Sequence, residues 1–331
     1  MNRRASILLG ALLAALLALP AFANDYLLSV VILILFFAFS GQAWNVMMGF
    51  AGQLSLGHSL YVGVGAYAAA AIYVHFGIGP WAGIWLAILV CVLMGSAIGF
   101  LAFRFGISGV YFALLTIAFA EFTRIGFDHL DWVGGSGGFF LPVVRRNVND
   151  LLNLRGSPVM FYYVALALAG GAFAFCAWLL RSRVGYYWQA IREDQDAAQA
   201  LGINTFRYKM LAIVISSAMT GVSGVFFAFY YNNLFPEQIF HISRSIELIL
   251  GPIIGGLGTL FGPVLGAAVL TLLAEGITEV MAMLGLQIPG VKQVFYGLCL
   301  LVVIMFLPNG IWPTLSRRLG LERKATRSDH G

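Results

Sequence analysis

The sequence has few charged residues. Only 10% of its 331 positions are Asp, Glu, Lys or Arg, and 60% are hydrophobic, whereas an ordinary soluble domain is about 25% charged. The apolar residues form long continuous runs, unlike the short alternating segments of a membrane β-barrel. Such runs are long enough to cross a hydrocarbon core, which takes about 20 helical residues. The composition therefore predicts an all-α fold, a polytopic transmembrane helical bundle.

Lysine and cysteine are also scarce, and their positions exclude several functions. The three lysines are Lys209, Lys292 and Lys324. None follows a glycine, so the chain lacks the Gly-Lys-Ser/Thr phosphate loop of an ATPase. The three cysteines, which have no partner at metal-ligand spacing and are expected to be small core residues, are Cys91, Cys176 and Cys299. No catalytic Ser-His-Asp set is evident, and the scattered basic residues form no nucleic-acid patch. We therefore expect no enzyme activity, cofactor, metal or nucleic-acid partner.

Apolar runs of spanning length recur along the chain. After the N-terminal segment they are Leu27–Met48, Leu60–Phe76, Trp81–Phe103, Gly109–Phe127, Val159–Leu180, Met210–Tyr231 and Val291–Leu307. The stretch Ile246–Leu284 is too long for one span and is interrupted by Gly255–Thr259 and by Gly262-Pro263. Small residues four positions apart, as in Gly95 with Gly99 and Gly262 with Gly266, predict close helix packing. The pattern predicts eight to ten spans, with ten preferred.

Residues 1–23 have two interpretations. They begin with Arg3 and Arg4, continue as an apolar run and end at Ala21-Phe22-Ala23. A basic start, a hydrophobic middle and small residues at the end are typical of a cleavable secretory signal. The same run is long enough to be a first transmembrane span, which is the preferred interpretation. Both place Asn24 outside the cell.

Basic residues indicate the orientation of the chain. Counting from a cytoplasmic N-terminus places the loop 181–209 inside and Asp128–Ser157 outside. Short basic segments beside a span prefer the cytoplasm, so the basic tail 313–331 requires Ile246–Leu284 to cross twice. The expected organisation is a transmembrane domain, 24–312, that contains the loop 181–209 and is followed by a cytoplasmic tail. Three arginines of the external loop oppose this bias: Arg145, Arg146 and Arg155.

Four motifs occur in a fixed order between Gly41 and Gly310. They are Gly49–His58 with Gly63–Tyr67; Thr116–Glu121 with Gly134–Gly138; Ala190–Asp194 with Ala197–Ile203 and Arg207–Lys209; and Gly255–Ala267. Together they resemble the permease subunits of branched-chain amino-acid ABC importers, the LivM-type family. The resemblance implies a multi-pass protein of the bacterial inner membrane, surrounded by lipid. It also implies a complex with a second permease subunit, two cytoplasmic ATPase subunits and a periplasmic substrate-binding protein.

The resemblance also implies a substrate class and a coupling loop. The expected substrates are branched-chain amino acids. The sequence departs from the family pattern at Val133 and Gly137, and related permeases for urea, amides or aromatic acids remain an alternative. A self-sufficient secondary transporter or channel is the alternative of another class. The residues expected to couple the chain to the ATPase are Arg192, Glu193, Asp194, Asp196, Ala197, Ala198 and Gly202.

The residues of the loop 181–209 predict a short helix from Asp194 to Leu201. Asp194 is suited to cap its start, and Gly202 to the left-handed residue after its end. At helical spacing, Ile191, Ala198 and Leu201 are expected to make one apolar face. Such a helix is suited to docking into a partner's groove or to lying on lipid. Its acidic residues argue against anionic lipid, and a merely solvated loop remains the alternative.

The residues expected to line the translocation path are Gly52, Gln53, Ser55, His58 and Glu121. Gly52, Gln53 and Ser55 interrupt two apolar runs, and non-helical backbone at membrane depth must be buried in protein or face water. An ordinary cytoplasmic turn is the alternative, and His58 is expected to be a packed, hydrogen-bonded side chain. Glu121 lies three residues before Arg124 on one helix, so the two are expected to pair or to face the path of a zwitterionic substrate. No role is assigned to two glutamates four residues apart, Glu275 and Glu279.

Overall fold

The computed structural model describes residues 10, 13–142, 149–285, 290–307 and 309–318. The helices there are α1 (Asp25–Asn45), α2 (His58–Phe76), α3 (Pro80–Arg104), α4 (Gly109–Asp128), α5 (Pro158–Arg181), α6 (Arg183–Glu193), α7 (Gln195–Ala200), α8 (Thr205–Tyr231), α9 (Pro236–Ile239), α10 (Ile242–Gly256), α11 (Gly262–Met283), α12 (Val291–Phe306) and α13 (Ile311–Arg318). Two-residue strands β1 (Phe139–Phe140) and β2 (Asn233–Leu234) pair antiparallel and make the one sheet of the described part. The predicted all-α class is confirmed.

The helix boundaries follow from local sequence signals. The side chain of Asn24 accepts a hydrogen bond from the backbone N–H three residues on, and Asn204 does the same before α8. Pro80 and Pro158 occupy the first turns of α3 and α5, where a missing N–H costs nothing. Gly77, with a φ of 67°, ends α2 in the left-handed conformation. Capping thus fixes where the apolar runs become helices.

Within the described residues, eight helical segments are long and apolar enough to cross a membrane. Six of them are α2, α3, α4, α5, α8 and α11. The other two are Asp25–Phe50, in which α1 continues into a π-helix, and Pro236–Gly256, which contains α9 and α10. The stretch Ile246–Leu284 is divided between α10 and α11, with its break after Gly256 as the sequence predicts. The chain is a multi-pass membrane protein.

The two further predicted spans remain predictions. Helix α12 has 16 residues, which is about 24 Å of helix. Of the first 23 positions, residues 13–18 are helical, and a 3₁₀ turn follows at Leu19–Ala21. Several basic residues used to predict the orientation lie outside the described residues: Arg3, Arg4, Arg145, Arg146, Arg323, Lys324 and Arg327.

The long helix α8 is at the centre of the bundle and defines its two ends. It has 27 residues, about 40 Å of helix, and runs from α7 to β2. We call these the α7 end and the β2 end. One side of α8 packs against α2, where an added Cβ on Gly224 would lie 2.1 Å from the Val62 carbonyl oxygen. The predicted close helix packing through small residues is therefore present.

The predicted small-residue positions and cysteines lie mainly in the interior. An added Cβ on Gly95 or Gly99 would meet α8 side chains at under 3.0 Å. Cys91 and Cys176 are buried and Cys299 is half-buried, and all three are free thiols. These cysteines serve as core residues, as the sequence predicts.

Candidate coupling region and translocation path

The predicted helix in the loop 181–209 is present as α7. The Asp194 carboxylate accepts hydrogen bonds from the backbone N–H groups of Asp196, at 2.9 Å, and Ala197, at 3.0 Å. Gly202 has a φ of 84° and takes the left-handed position after the helix. Both local predictions are confirmed. Helix α6 precedes α7, so the region consists of two short helices joined at Asp194.

The predicted common apolar face of this region is wrong. Ile191 and Ala198 are buried, but Leu201 is 81% exposed. The reason is the backbone of Asp194, which is extended, with a φ of −154° and a ψ of 111°. That break resets the helical register between α6 and α7, so a spacing counted across it does not place residues on one face. Leu201 instead projects from the molecule just after α7.

The expected coupling residues differ in exposure. Those exposed at the α7 end are Arg192, Glu193, Asp194, Asp196, Ala197 and Gly202. Ala198 packs inside this chain. The Arg192 side chain is 35% exposed, and its guanidinium points back into the bundle. The outward surface of α7 is therefore small, acidic and flanked by an exposed leucine.

Three of the four sequence motifs meet at the α7 end. Arg192 donates from Nη1 to the Gly49 carbonyl oxygen, at 2.6 Å. The Asn45 amide donates to the Thr259 carbonyl, and its oxygen accepts from the Gly258 N–H, both at 3.0 Å. The coupling region, the end of α1 and the loop between α10 and α11 thus form one hydrogen-bonded junction.

The segment 51–57 between α1 and α2 is non-helical and buried in protein. The Gln53 N–H donates to the Met47 carbonyl, at 2.9 Å, and the Leu56 N–H donates to Thr116 Oγ1 on α4, at 3.1 Å. The Ser55 carbonyl accepts from the Trp44 indole N–H, at 2.8 Å. These bonds replace the helical ones, as burial in a membrane protein requires.

Ser55 and His58 belong to a buried hydrogen-bond chain. Ser216 on α8 donates its hydroxyl proton to the Ala43 carbonyl, at 2.7 Å, so its oxygen accepts from His58 Nε2, at 2.9 Å. His58 Nδ1 is then the acceptor for the Ser55 hydroxyl, at 3.1 Å, because a neutral imidazole has one donor and one acceptor. Both ring nitrogens of His58 are therefore used within the chain.

A second helix interruption packs against the first. The backbone between α9 and α10 breaks at Phe240 and His241. Ser59 donates from Oγ to the Phe240 carbonyl, and its N–H donates to Ser245 Oγ, both at 2.9 Å. Two interrupted spans thus meet at the start of α2, where these bonds satisfy backbone groups that no helix pairs.

Glu121 and Arg124 form the predicted ion pair. Arg124 donates from Nε to Glu121 Oε1 and from Nη1 to Asp128, both at 2.8 Å. The Glu121 side chain is 48% exposed, and α4 packs against α9, which leads into the second interruption. This exposed polar face of α4 therefore lies beside the second interruption.

A polar cavity of about 430 Å³ lies at the β2 end of α4. It is lined by Asp128, His129, Ser136, Phe235, Pro236, Glu237 and Gln238. The two positions that depart from the family pattern flank Ser136 in sequence, with Val133 buried and Gly137 exposed. No group of three His, Cys, Asp or Glu residues in the described ranges is placed to hold a metal ion.

Sequence reasoning did not identify the buried hydroxyl groups that hydrogen-bond the predicted path segment. Thr116, Ser216 and Ser245 are buried within spans and bond the segment from Leu56 to Ser59. A hydroxyl in an apolar run is a weak signal, because Ser and Thr commonly bond their own helix. Their long-range partners are evident only in the fold.

The chain matches a family model and several curated relatives. The family described as "Branched-chain amino acid transport system / permease component" matches residues 25–304. The permease protein LivM of the high-affinity branched-chain amino acid transport system of Escherichia coli K12 is 28% identical, over 98% of this chain and 78% of LivM. A probable LivM of Methanocaldococcus jannaschii is 24% identical over 81% of this chain and 88% of its own.

A second type of permease matches a shorter part. The permease protein LivH of the same E. coli system is 32% identical over 39% of this chain and 40% of LivH. No solved structure matches the chain. The family match extends over most of the molecule, from the start of α1 into α12. The chain therefore belongs to the family of branched-chain amino acid transport permeases.

Proposed function

We propose that this chain is a permease subunit of an ATP-driven importer of branched-chain amino acids in a bacterial inner membrane. The observation that carries the proposal is the α6–α7 region, a small capped helix pair exposed at one end of a multi-pass bundle of this family. The chain itself has no phosphate loop, so ATP hydrolysis is assigned to separate subunits. The substrate class follows the printed names of LivM and LivH.

The proposed complex contains four further components. The LivH match supports a second permease subunit of related sequence. Two ATPase subunits bind at the α7 end, which we place in the cytoplasm. A substrate-binding protein delivers its ligand at the β2 end, in the periplasm. Lipid surrounds the remaining apolar surface, and nucleic acid is not a partner.

The charges of the spans favour an external energy source over ion coupling. Intramembrane charges are costly and usually functional. In α4, Arg124 pairs with Glu121 and Asp128, and in α10 Arg244 donates to Glu247 at 2.7 Å. These pairs lie within single helices. They resemble structural ion pairs more than a proton relay, which would extend from one end of the bundle to the other.

Substitution of Leu201 offers a sharp test of the proposed ATPase docking. It is 81% exposed beside the exposed acids of α7, and an apolar anchor seated in a partner's groove is a common energetic hot spot. Leu201→Asp is expected to weaken co-purification of the ATPase about tenfold or more, because truncating a hot-spot residue costs about 2 kcal/mol. The measurement is the amount of ATPase retained by tagged chain in detergent.

The matched control is Leu152→Asp, an equally accessible leucine in the loop between β1 and α5, at 77% exposure. Its ATPase retention is expected to equal that of the unmodified chain. Equal retention by the Leu201 and Leu152 variants would mean that the end of α7 is merely solvated.

We propose that the translocation path lies between the two permease subunits along the face of Leu54, Leu56 and Glu121. Leu54 and Leu56 are half-buried, whereas Ser55 and His58 have no exposed surface in this chain. Gly52, Gln53, Ser55 and His58 then support the wall of the path from behind. Glu121, on the same helix as Thr116, supplies an exposed charge for a zwitterionic substrate.

Cysteine labelling tests this path. Leu56→Cys is expected to react with a small water-soluble thiol reagent, at a rate that changes with nucleotide and substrate, since alternating access wets a path residue in one state only. Leu60→Cys is the control, because Leu60 is 1% exposed and should react slowly in every state. If nucleotide, ATPase and substrate leave the labelling rate of Leu56→Cys unchanged, segment 51–57 is a simple turn and does not line the path.

A further inference from the structure

Arg192 connects the coupling region to the interior of the bundle. It lies in the last turn of α6, and its two terminal nitrogens diverge. Nη2 donates to the exposed Glu193 carboxylate at 2.9 Å, and Nη1 donates to the Gly49 carbonyl at 2.6 Å. Arg192 and Gly49 are 143 residues apart in sequence. The guanidinium fork therefore bridges the surface of α6 and the end of the first span.

Two glycines, Gly52 and Gly258, lie against the Arg192 side chain. A Cβ added to Gly258 would lie 2.3 Å from Arg192 Nη1, and one added to Gly52 would lie 3.0 Å from its Cγ. Both glycines also have positive φ, of 74° and 70°, which other residues rarely adopt. Any larger residue at these two positions would collide with the Arg192 side chain, so the glycines leave the space through which it reaches Gly49.

The Gly49 carbonyl belongs to the π-helix Val46–Phe50. The last carbonyls of a helix lack helical partners, and Arg192 supplies the partner for this one. Π-helical turns occur most often at functional sites. One turn earlier, Trp44 binds the Ser55 carbonyl, and Ser55 binds His58. Arg192 and segment 51–57 are therefore both hydrogen-bonded to the same end of the first span, through Gly49 on one side and through Trp44 and Met47 on the other.

We propose that Arg192 is a positioning residue that transmits movement of α6 and α7 to segment 51–57. The inference rests on the proposed docking of an ATPase at the α7 end. A shift of α6 displaces the Gly49 carbonyl through the Arg192 guanidinium. The π-helix and segment 51–57 then move together, and Leu54 and Leu56 change their exposure to the path. Arg192 acts through its bond to the Gly49 carbonyl rather than through a contact to the ATPase.

The test uses Leu56→Cys chain purified with its ATPase in lipid vesicles. Adding Arg192→Ala is expected to abolish the effect of ATP on the labelling rate, while ATPase retention and ATP hydrolysis stay near those of the parent. Couplings of this kind change an equilibrium about fivefold or more, so the loss is measurable. Arg192→Lys, which keeps a charged donor group but not the planar fork, is expected to retain part of the ATP effect.

Arg183→Ala is the matched control, because it removes an exposed arginine from the start of the same helix but leaves the bond to Gly49. It should preserve the full ATP effect. An ATP effect in Arg192→Ala as large as that in the parent would overturn the inference. A loss of ATPase retention in proportion to the loss of the ATP effect would overturn it too. Should Arg192→Ala fail to accumulate, a full ATP effect in Arg192→Lys would also contradict it. If the Leu56→Cys parent retains no ATPase at all, the proposed function fails first.

Discussion

Replacing Gly266 by alanine is expected to prevent α10 and α11 from packing together. An added Cβ would lie 1.8 Å from the Gly251 carbonyl oxygen and 2.9 Å from the Gly255 N. Those neighbours are backbone atoms of α10, so no side chain is able to rotate away. Overpacking a core costs about 1–3 kcal/mol or more, and here two whole helices would have to separate. Lipid supplies no hydrophobic force to hold them together.

Gly276→Ala on the same helix is the control. No atom lies within 4 Å of its added Cβ, and alanine is favoured over glycine inside a helix by about 0.5–1 kcal/mol. The measurement is the temperature at which each purified variant loses its monodisperse peak in detergent. We expect a large fall for Gly266→Ala and no fall for Gly276→Ala. Similar temperatures for the two variants would contradict the glycine-mediated contact.

The sequence was sufficient to predict the elements whose causes are local. Apolar runs set the spans because about 20 helical residues are needed to cross the hydrocarbon core. The glycines and Pro263 predicted the division of Ile246–Leu284 correctly. Asp194 and Gly202 identified the ends of α7, and the spacing of Glu121 and Arg124 identified their ion pair.

The sequence was insufficient where distant segments meet. The common face of Ile191, Ala198 and Leu201 failed because the backbone at Asp194 leaves the helical register. The bond from Arg192 to Gly49 had no sequence signal, since the two residues lie in different motifs. Hydropathy predicts that a helix spans the membrane but not which neighbour it contacts.

The residues expected to line the path also depend on contacts between distant segments. The polar residues that interrupt the apolar runs drew attention to Ser55, whereas the fold turns Ser55 inward and leaves Leu54 and Leu56 half-buried. The serine bonds His58, so a hydrogen bond inside the chain accounts for its polarity. Which side of an extended segment faces outward depends on the helices that pack against it.

Uptake of labelled leucine in reconstituted vesicles tests the central proposal most directly. The vesicles contain this chain with the permease, ATPase and binding protein that co-purify with it from native membranes. We expect uptake only with ATP and all components present, and inhibition by unlabelled isoleucine and valine but not by urea or benzoate. Inhibition by urea or benzoate instead would reassign the substrate. Leucine uptake by this chain alone, without ATP, would contradict its role as a subunit of an ATP-driven importer.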